Sequence, residues 1–333
     1  MNQPSITFVT CAESGALEGP PRRLAASLRK WGGRFANCPL YAVTPRFGAP
    51  LSSGTIREFR DLGVKYLRFS RHDGYEWNPY VNKLAAVKAV EDLADTEAVA
   101  WLDADLFVVG EPHELELAPD EDFLASPSDA AGTTSGPGDL WEEYWQETGK
   151  LHGIDINSMP WVNTHREGKR IRYSVNGGLF VYRKTTKFGT HYHDFCMKWL
   201  DAKFGSIHTK VFFHDQQALS LVAHQQGLRI RHLNHSHNYE MASSIHAEWF
   251  REEKLRAAKI VHYHDCMWPK FWPTFLEVMR PTHPEAAAWL AERGPLKNEA
   301  KPWWKVFGKW LQKKRQKTQA AYLAGCRLIE TGK

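Results

Sequence analysis

Along the first 110 residues the apolar positions switch repeatedly between short continuous runs and a spacing of three to four. Ile6–Thr10, Pro39–Thr44 and Val64–Phe69 are apolar runs of strand length. Between them, Arg22–Trp31 carries Leu24 and Leu28 and stops at Gly32-Gly33, and Ile56–Leu62 reads as a short helix. Asn82–Leu93 places Leu84, Val87 and Val90 on one helical face and leads into Ala98–Gly110, apolar on both sides except for Asp103 and Asp105. That last run predicts a strand buried on both faces. Strands alternating with helices predict an α/β fold with a mostly parallel sheet.

Phe123–Ser126 reads as a further short strand, after which the periodicity lapses from residue 127 to 172. A loop-rich insert of this length is usually functional or disordered. Its Trp141, Tyr144, Trp145 and Trp161 favour an ordered lid or substrate wall. Tyr173–Arg183 predicts a loop with a glycine pair feeding a strand. Helices are expected over Phe188–Phe204 and Asp215–Gln226, and strands over Arg229–Leu233 and Lys259–Tyr263. No internal repeat is visible. The expected organisation is one domain over residues 1–280, with 127–172 as its insert, and a helical basic tail over 281–333.

Composition narrows the class. The 333 residues are 43% hydrophobic and 24% charged, as in ordinary globular proteins. No run reaches the ~18 apolar residues that signal a transmembrane helix. The N-terminus lacks the basic start of a signal peptide. Five scattered cysteines without a Cys-x-x-Cys pair argue against a disulfide framework or a cysteine-based zinc site, so a reducing, cytoplasmic location is expected. The net charge is +5, but residues 301–333 hold nine Lys/Arg against one Glu, a local +8, leaving −3 for residues 1–300. A slightly acidic body argues against nucleic acid as a partner and gives the tail a separate role.

The chemistry-bearing residues each have an ordinary alternative. Asp103 and Asp105, two apart on an extended chain, point to one side. Unpaired carboxylates are costly to bury, so they belong at the strand's carboxyl end, facing either a cation or Lys/Arg. Hard divalent ions such as Mg²⁺ and Mn²⁺ take oxygen ligands from one or two carboxylates plus substrate phosphates, which makes a metal–diphosphate site the working reading. Asn176-Gly177-Gly178 could bring backbone and an amide donor close to a ligand, or form a plain turn. Asp215 in His214-Asp215-Gln216-Gln217 could be catalytic or an N-cap. Lys83 could face an anion or solvent. His262 and His264 alternate at the end of an apolar strand and could supply a ligand to an Asp/Asp/His set. His232, His235 and His237 form a second cluster that could hold zinc.

The order Lys83-Leu84, Leu102-Asp-Ala-Asp105, Asn176-Gly-Gly-Leu-Phe-Val-Tyr182, Asp215-Gln216, Val261-His-Tyr263 resembles that of GT-A-fold glycosyltransferases, most nearly the glycogenin-like family 8. The likeness covers about residues 5–272. It implies a mixed, mostly parallel central sheet flanked by helices, and a nucleotide-sugar donor, UDP-sugar first. Mn²⁺ (or Mg²⁺) would bridge the diphosphate to Asp103, Asp105 and His262. Thr10, Cys11 and Glu13 would lie beside the nucleotide, and Lys83 and Asp103 would face the diphosphate or donor sugar. Asn176, Gly177 and Gly178 would line the sugar pocket, with Asp215 and Gln216 near the reacting carbon.

Two departures stand out. The family's His motif runs on to Gly and then Lys-Pro-Trp, whereas here Asp265 takes the glycine position and Trp268-Pro-Lys-Phe-Trp272 follows. Aligned on the strand, His262 is the ligand; aligned on Lys270 and Trp272, His264 is. The insert before Asn176 is also longer than in typical members, so acceptor identity (glycan, glycolipid or protein) does not carry over. The resemblance implies retention, while an inverting enzyme would use Asp215 as general base. A phosphohydrolase of the haloacid-dehalogenase type and a non-catalytic sugar-nucleotide-binding scaffold are the alternatives. A sugar nucleotidylyltransferase is disfavoured because no Gly-rich loop follows the first strand.

In the tail, Trp303, Phe307, Trp310 and Leu311 fall at i, i+4, i+7 and i+8, with Lys305, Lys309 and Lys313 on the other faces. Residues 301–315 thus read as an interfacial helix for an anionic membrane surface, or as a helix docking its aromatic stripe on the body.

Overall fold

In the computed structural model, which describes residues 4–206, 214–241 and 250–329, the N-terminal runs become strands of one sheet. The chain runs β1 (Ile6–Cys11), α1 (Gly19–Trp31), β2 (Leu40–Thr44), α2 (Ser53–Asp61), β3 (Val64–Arg68), α3 (Tyr80–Leu93), β4 (Ala98–Leu102) and β5 (Leu106–Val108). It continues through β6 (Phe123–Pro127), α4 (Glu142–His152), β7 (Trp161–Asn163), β8 (Arg170–Arg172), β9 (Val175–Arg183), α5 (Phe188–Asp201) and β10 (Phe204–Ser206). The last elements are α6 (His214–Gln225), β11 (Ile230–His232), β12 (Tyr239–Glu240), α7 (Glu252–Ala257), β13 (Ile260–His262), α8 (Trp272–Thr282), α9 (Pro284–Arg293), α10 (Pro302–Ala324) and β14 (Arg327–Ile329).

The central sheet has seven strands in the order β11-β6-β9-β4-β1-β2-β3. β1 lies parallel to β2 and β4, β2 to β3, and β6 to β11; β9 alone runs against its neighbours β4 and β6. The expected α/β class and mixed, mostly parallel sheet are therefore present. β4, Ala-Val-Ala-Trp-Leu, is buried at every position, which its continuous apolar run requires. One core layer joins Val87 and Val90 of α3 to Phe180 and Tyr182 of β9 and Trp199 of α5. The layer on the opposite face joins Leu24 and Leu28 of α1 to Phe8, Leu40 and Leu102. Gly33, at φ 54° beyond α1, has no room for a Cβ against the Glu111 carboxylate, so glycine is required where the chain leaves the helix.

A smaller sheet, β12-β13-β5, lies at the carboxyl end of the central one. It divides the expected Ala98–Gly110 strand in two: β4 stops at Leu102 and β5 pairs antiparallel with β13. The insert is also more regular than its sequence implied. It contains the helix α4 and the antiparallel ribbon β7-β8, and Tyr144 and Trp145 of α4 are buried in the main core. At the far end, β14 pairs in parallel with β10. Among the described residues no helix is long and apolar enough to cross a membrane.

Candidate functional site

The site is built where β4 ends. Leu102 pairs with Leu179 of β9, and the next amide, Asp103 N–H, donates to Gly178 O at 2.7 Å. The chain then turns, Leu106 N–H donating to Asp103 O at 3.1 Å, before entering β5. Asp103 and Asp105 thus emerge from a turn at the sheet's carboxyl end and not from alternate positions of one strand. A turn here leaves both carboxylates part-exposed, as they could not be inside a doubly buried strand.

β13 brings the histidines to the same place. His262 Nε2 lies 3.4 Å from Asp105 Oδ1, and His264 Nδ1 lies 3.7 Å from Asp105 Oδ2. β13 ends at His262, and His264 sits at φ 49°, so a turn brings the rings together: they stack with centroids 4.0 Å apart. Ligand atoms of Asp105, His262 and His264 all fall within 4.8 Å of one another. Behind His262, Asn238 donates through Nδ2 to Asn176 Oδ1 at 3.0 Å, so its Oδ1 accepts from His262 Nδ1–H at 3.1 Å. That contact orients the imidazole with Nε2 toward Asp105, the arrangement in which a histidine serves a metal. The donor set of hard carboxylate oxygen and oriented imidazole fits a divalent cation.

Asp103 meets a second set of partners. Its Oδ1 accepts from Trp101 Nε1–H at 2.6 Å and lies 3.3 Å from Lys83 Nζ. Lys83, expected to be solvated unless functional, is buried on α3 and donates to Gly177 O at 2.9 Å and Asp215 Oδ2 at 3.1 Å. It therefore joins the strand end, the glycine pair and the start of α6. Burial lowers the Lys83 pKa, but Asp103 and Asp215 outweigh it and hold the ammonium charged. Burial raises the Asp103 carboxyl against the pull of Lys83. Asp105 is also desolvated, but His262 and His264 bring it down to about 2. His262 is raised, Asp105 overcoming its burial, whereas burial and the His262 charge push His264 down to about 3.

Asn176, Gly177 and Gly178 lie within β9 instead of in a loop before it, and neither glycine has a positive φ. Close approach explains them. A Cβ on Gly178 would sit 2.5 Å from His262 Cε1, and one on Gly177 would sit 3.2 Å from Lys83 Nζ. The Asn176 amide is engaged inside the protein: Oδ1 accepts from Gly178 N–H and Asn238, and Nδ2 donates to Glu240 Oε1 at 3.1 Å. Gln216 donates to Ser128 Oγ at 2.7 Å. Asn238 and Glu240 carried no signal in the sequence, being single polar residues in an irregular stretch. Burial raises Glu240 to about 7, with Asp129 next and His262 opposing.

The remaining expected residues divide. Thr10 is buried, its hydroxyl without a hydrogen-bond partner among the described residues, and Cys11 follows it at the end of β1. Burial, then Glu13 and Asp103, push the Cys11 thiol well up. Glu13 accepts from Asn82 at 2.5 Å and Arg46 at 2.6 Å. Lys270 is exposed, its ammonium over the Phe271 ring, and no hydrogen bond or ion pair joins it to the cluster among the described residues. His232, His235 and His237 do not converge: His232 stacks on Tyr173, His235 on His165, and His237 groups with His113 and Glu114. The three histidines separate here because the chain leaves β11 for a 3-10 turn over His235–His237.

A family model described as Rhodobacterales glycosyltransferase domain matches residues 8–227. No curated protein matches the sequence. Among solved structures, the bifunctional glycosyltransferase WbbM aligns over 87% of this chain but only 52% of its own length, at 12% identity and TM-score 0.48. The galactosyltransferase LgtC, determined with donor and acceptor sugar analogues, aligns over 90% of this chain and 99% of its own, at 12% identity and TM-score 0.46. GlyE of Streptococcus pneumoniae aligns over 89% and 66%, at 14% identity and TM-score 0.49.

Proposed function

The chain belongs to the family of Rhodobacterales glycosyltransferase domains, and from that premise we propose that it moves a sugar from a nucleoside-diphosphate donor, UDP-sugar first, to a glycan, glycolipid or protein acceptor. The observation that carries this reading is the convergence of Asp105 and an oriented His262 beside the Lys83–Asp103–Asp215 cluster. Asp103, Asp105 and His262 would hold Mn²⁺ or Mg²⁺, with His264 adjacent. The bound ion would supply Lewis-acid stabilisation of the charge developing on the departing diphosphate.

The protein's own groups divide the remaining work. Lys83 faces the anionic side of the donor and holds the Asp215 side chain in place. Because Asp215 Oδ2 is committed to that ammonium, it suits orienting sugar hydroxyls better than abstracting a proton, which favours retention. Gln216 reaches the same pocket, and Asn176 holds Asn238 and Glu240 in place. We assign the insert 127–172 to the acceptor side, because Ser128 meets Gln216 and Arg166 lies 3.8 Å from Glu240. Thr10, Cys11 and Glu13 lie on the nucleotide side.

We place the protein in the cytoplasm, with the outer face of α10 on an anionic membrane surface. Trp303, Val306 and Trp310 are 59, 70 and 56% exposed there. Lys313, Lys314 and Lys317 are exposed on the same helix.

Calorimetric titration of UDP and GDP with and without Mn²⁺ tests the donor site. Binding of one nucleotide only with metal, abolished in Asp105→Ala, is the expected result; undiminished binding by that variant would refute the site. Hydrolysis screened over nucleotide sugars then identifies the donor.

A further inference from the structure

The stripe of α10 that meets the body is Trp304, Phe307, Leu311, Arg315, Gln319 and Tyr322, each half-buried at helical spacing. Phe307 packs edge-on to Phe47 at 6.1 Å, Arg315 donates to Phe47 O at 2.6 Å, and Tyr322 donates to Leu200 O at 2.8 Å. The aromatic face expected from the sequence is thereby split: Phe307 and Leu311 turn inward, while Trp303 and Trp310 stay out.

The docked helix does not fill the space beneath it. A cavity of about 690 Å³ remains between α10, the loop after β1, the loop after β2, and Trp77. That volume is in the range of small-molecule sites, and it lies beyond the carboxyl ends of β1 and β2, where α/β sheets bind ligands. It adjoins the cluster through Glu13, which lines the cavity and accepts from Asn82, the residue before Lys83. Its charged lining is mainly basic: Arg46, Lys305, Lys309 and Arg315, against the single carboxylate of Glu13, already held by Arg46. Burial and then the Arg46 charge push Arg315 down to about 10, the state of a guanidinium that an anion would relieve.

We propose that α10 is the outer wall of the donor crevice and that Arg315 binds the nucleoside diphosphate from that side. The inference rests on the donor reading above and extends it to a part of the chain outside the matched family segment. Lys305 and Lys309 add to the positive field over the same cavity.

The test uses the full chain, with UDP and Mn²⁺ as probe. Arg315→Gln is expected to weaken calorimetric affinity about tenfold, as loss of one charge-assisted contact does. Lys317→Gln, on the exposed side, leaves affinity unchanged. Hydrogen exchange in residues 304–319 of the wild type slows on adding the probe, a readout that decides the matter even where Arg315→Gln does not fold. UDP binding equally to wild type and Arg315→Gln, or with exchange of α10 unaltered, overturns the proposal and leaves the donor reading standing. Failure of both UDP and GDP to bind the wild type overturns the two together.

Discussion

Lys83 and Asp215, 132 residues apart, are both buried and meet at 3.1 Å, with the Gly177 carbonyl closing the ammonium's other side. The pair joins α3 to α6 through the edge of the site, so its charges are structural before they are catalytic. Lys83→Met leaves Asp215 buried without a counter-charge, which costs about 3–5 kcal/mol for a broken buried pair. Urea denaturation measures it. A loss below about 1 kcal/mol, the scale of solvated pairs, would show that water reaches the carboxylate.

The glycines of β9 rank differently. Gly178→Ala forces a methyl against the His262 ring and the Asn176 amide, both fixed by their own contacts, at a cost of about 1–3 kcal/mol. Gly177→Ala comes no closer than 3.2 Å, to Lys83 Nζ, with Leu219 and Asp215 at ordinary contact, and is milder. Thermal melts should place Gly178→Ala below Gly177→Ala, and Mn²⁺ titration should show weaker binding in the former. The reverse order would mean His262 can shift freely.

A distant histidine sets part of the acid stability. His152 at the end of α4 stacks on Phe195, centroids 3.4 Å apart, and burial lowers it to about 4. Between its unfolded value near 6.5 and about 4 the unfolded chain binds the proton and the folded one does not, so stability falls as pH drops through that window. His152→Phe should flatten that limb by roughly 1–3 kcal/mol. Denaturation midpoints at pH 7 and pH 4.5 would measure it; an unaltered slope would rule His152 out.

Exposed aromatics on α10 predict lipid binding that resists neither charge removal nor truncation of its rings. Trp303→Ser with Trp310→Ser should abolish flotation on phosphatidylserine vesicles at low salt, and raised salt should weaken it in the wild type. Recovery of both proteins in the soluble fraction would remove the membrane from the account.

The buried run of β4 and the order of the polar motifs announced the class and most of the cluster. The turn at Asp103–Asp105 was hidden because Leu106-Phe107-Val108 continues the apolar pattern, and hydrophobicity does not say that the chain has changed sheets. α4 was hidden by Gly149, which reads as a helix breaker but is required there: a Cβ would lie 2.5 Å from Ile154 O. Asn238 and Glu240 acquire meaning only through Asn176, 62 and 64 residues away. Periodicity cannot report such pairings. For α10 the 3.6-residue repeat was visible, but adjacent tryptophans left open which side faces the body.

The pairing of β14 with β10 bears on how the tail can be studied. These two strands form a sheet of their own, so among the described residues each is the other's sole strand partner. Cutting the chain before α10 would strip β10 of its ladder and bare backbone donors and acceptors to other molecules, an invitation to edge-to-edge association. A shortened chain that precipitates would then report an orphaned strand, whatever the helix itself does.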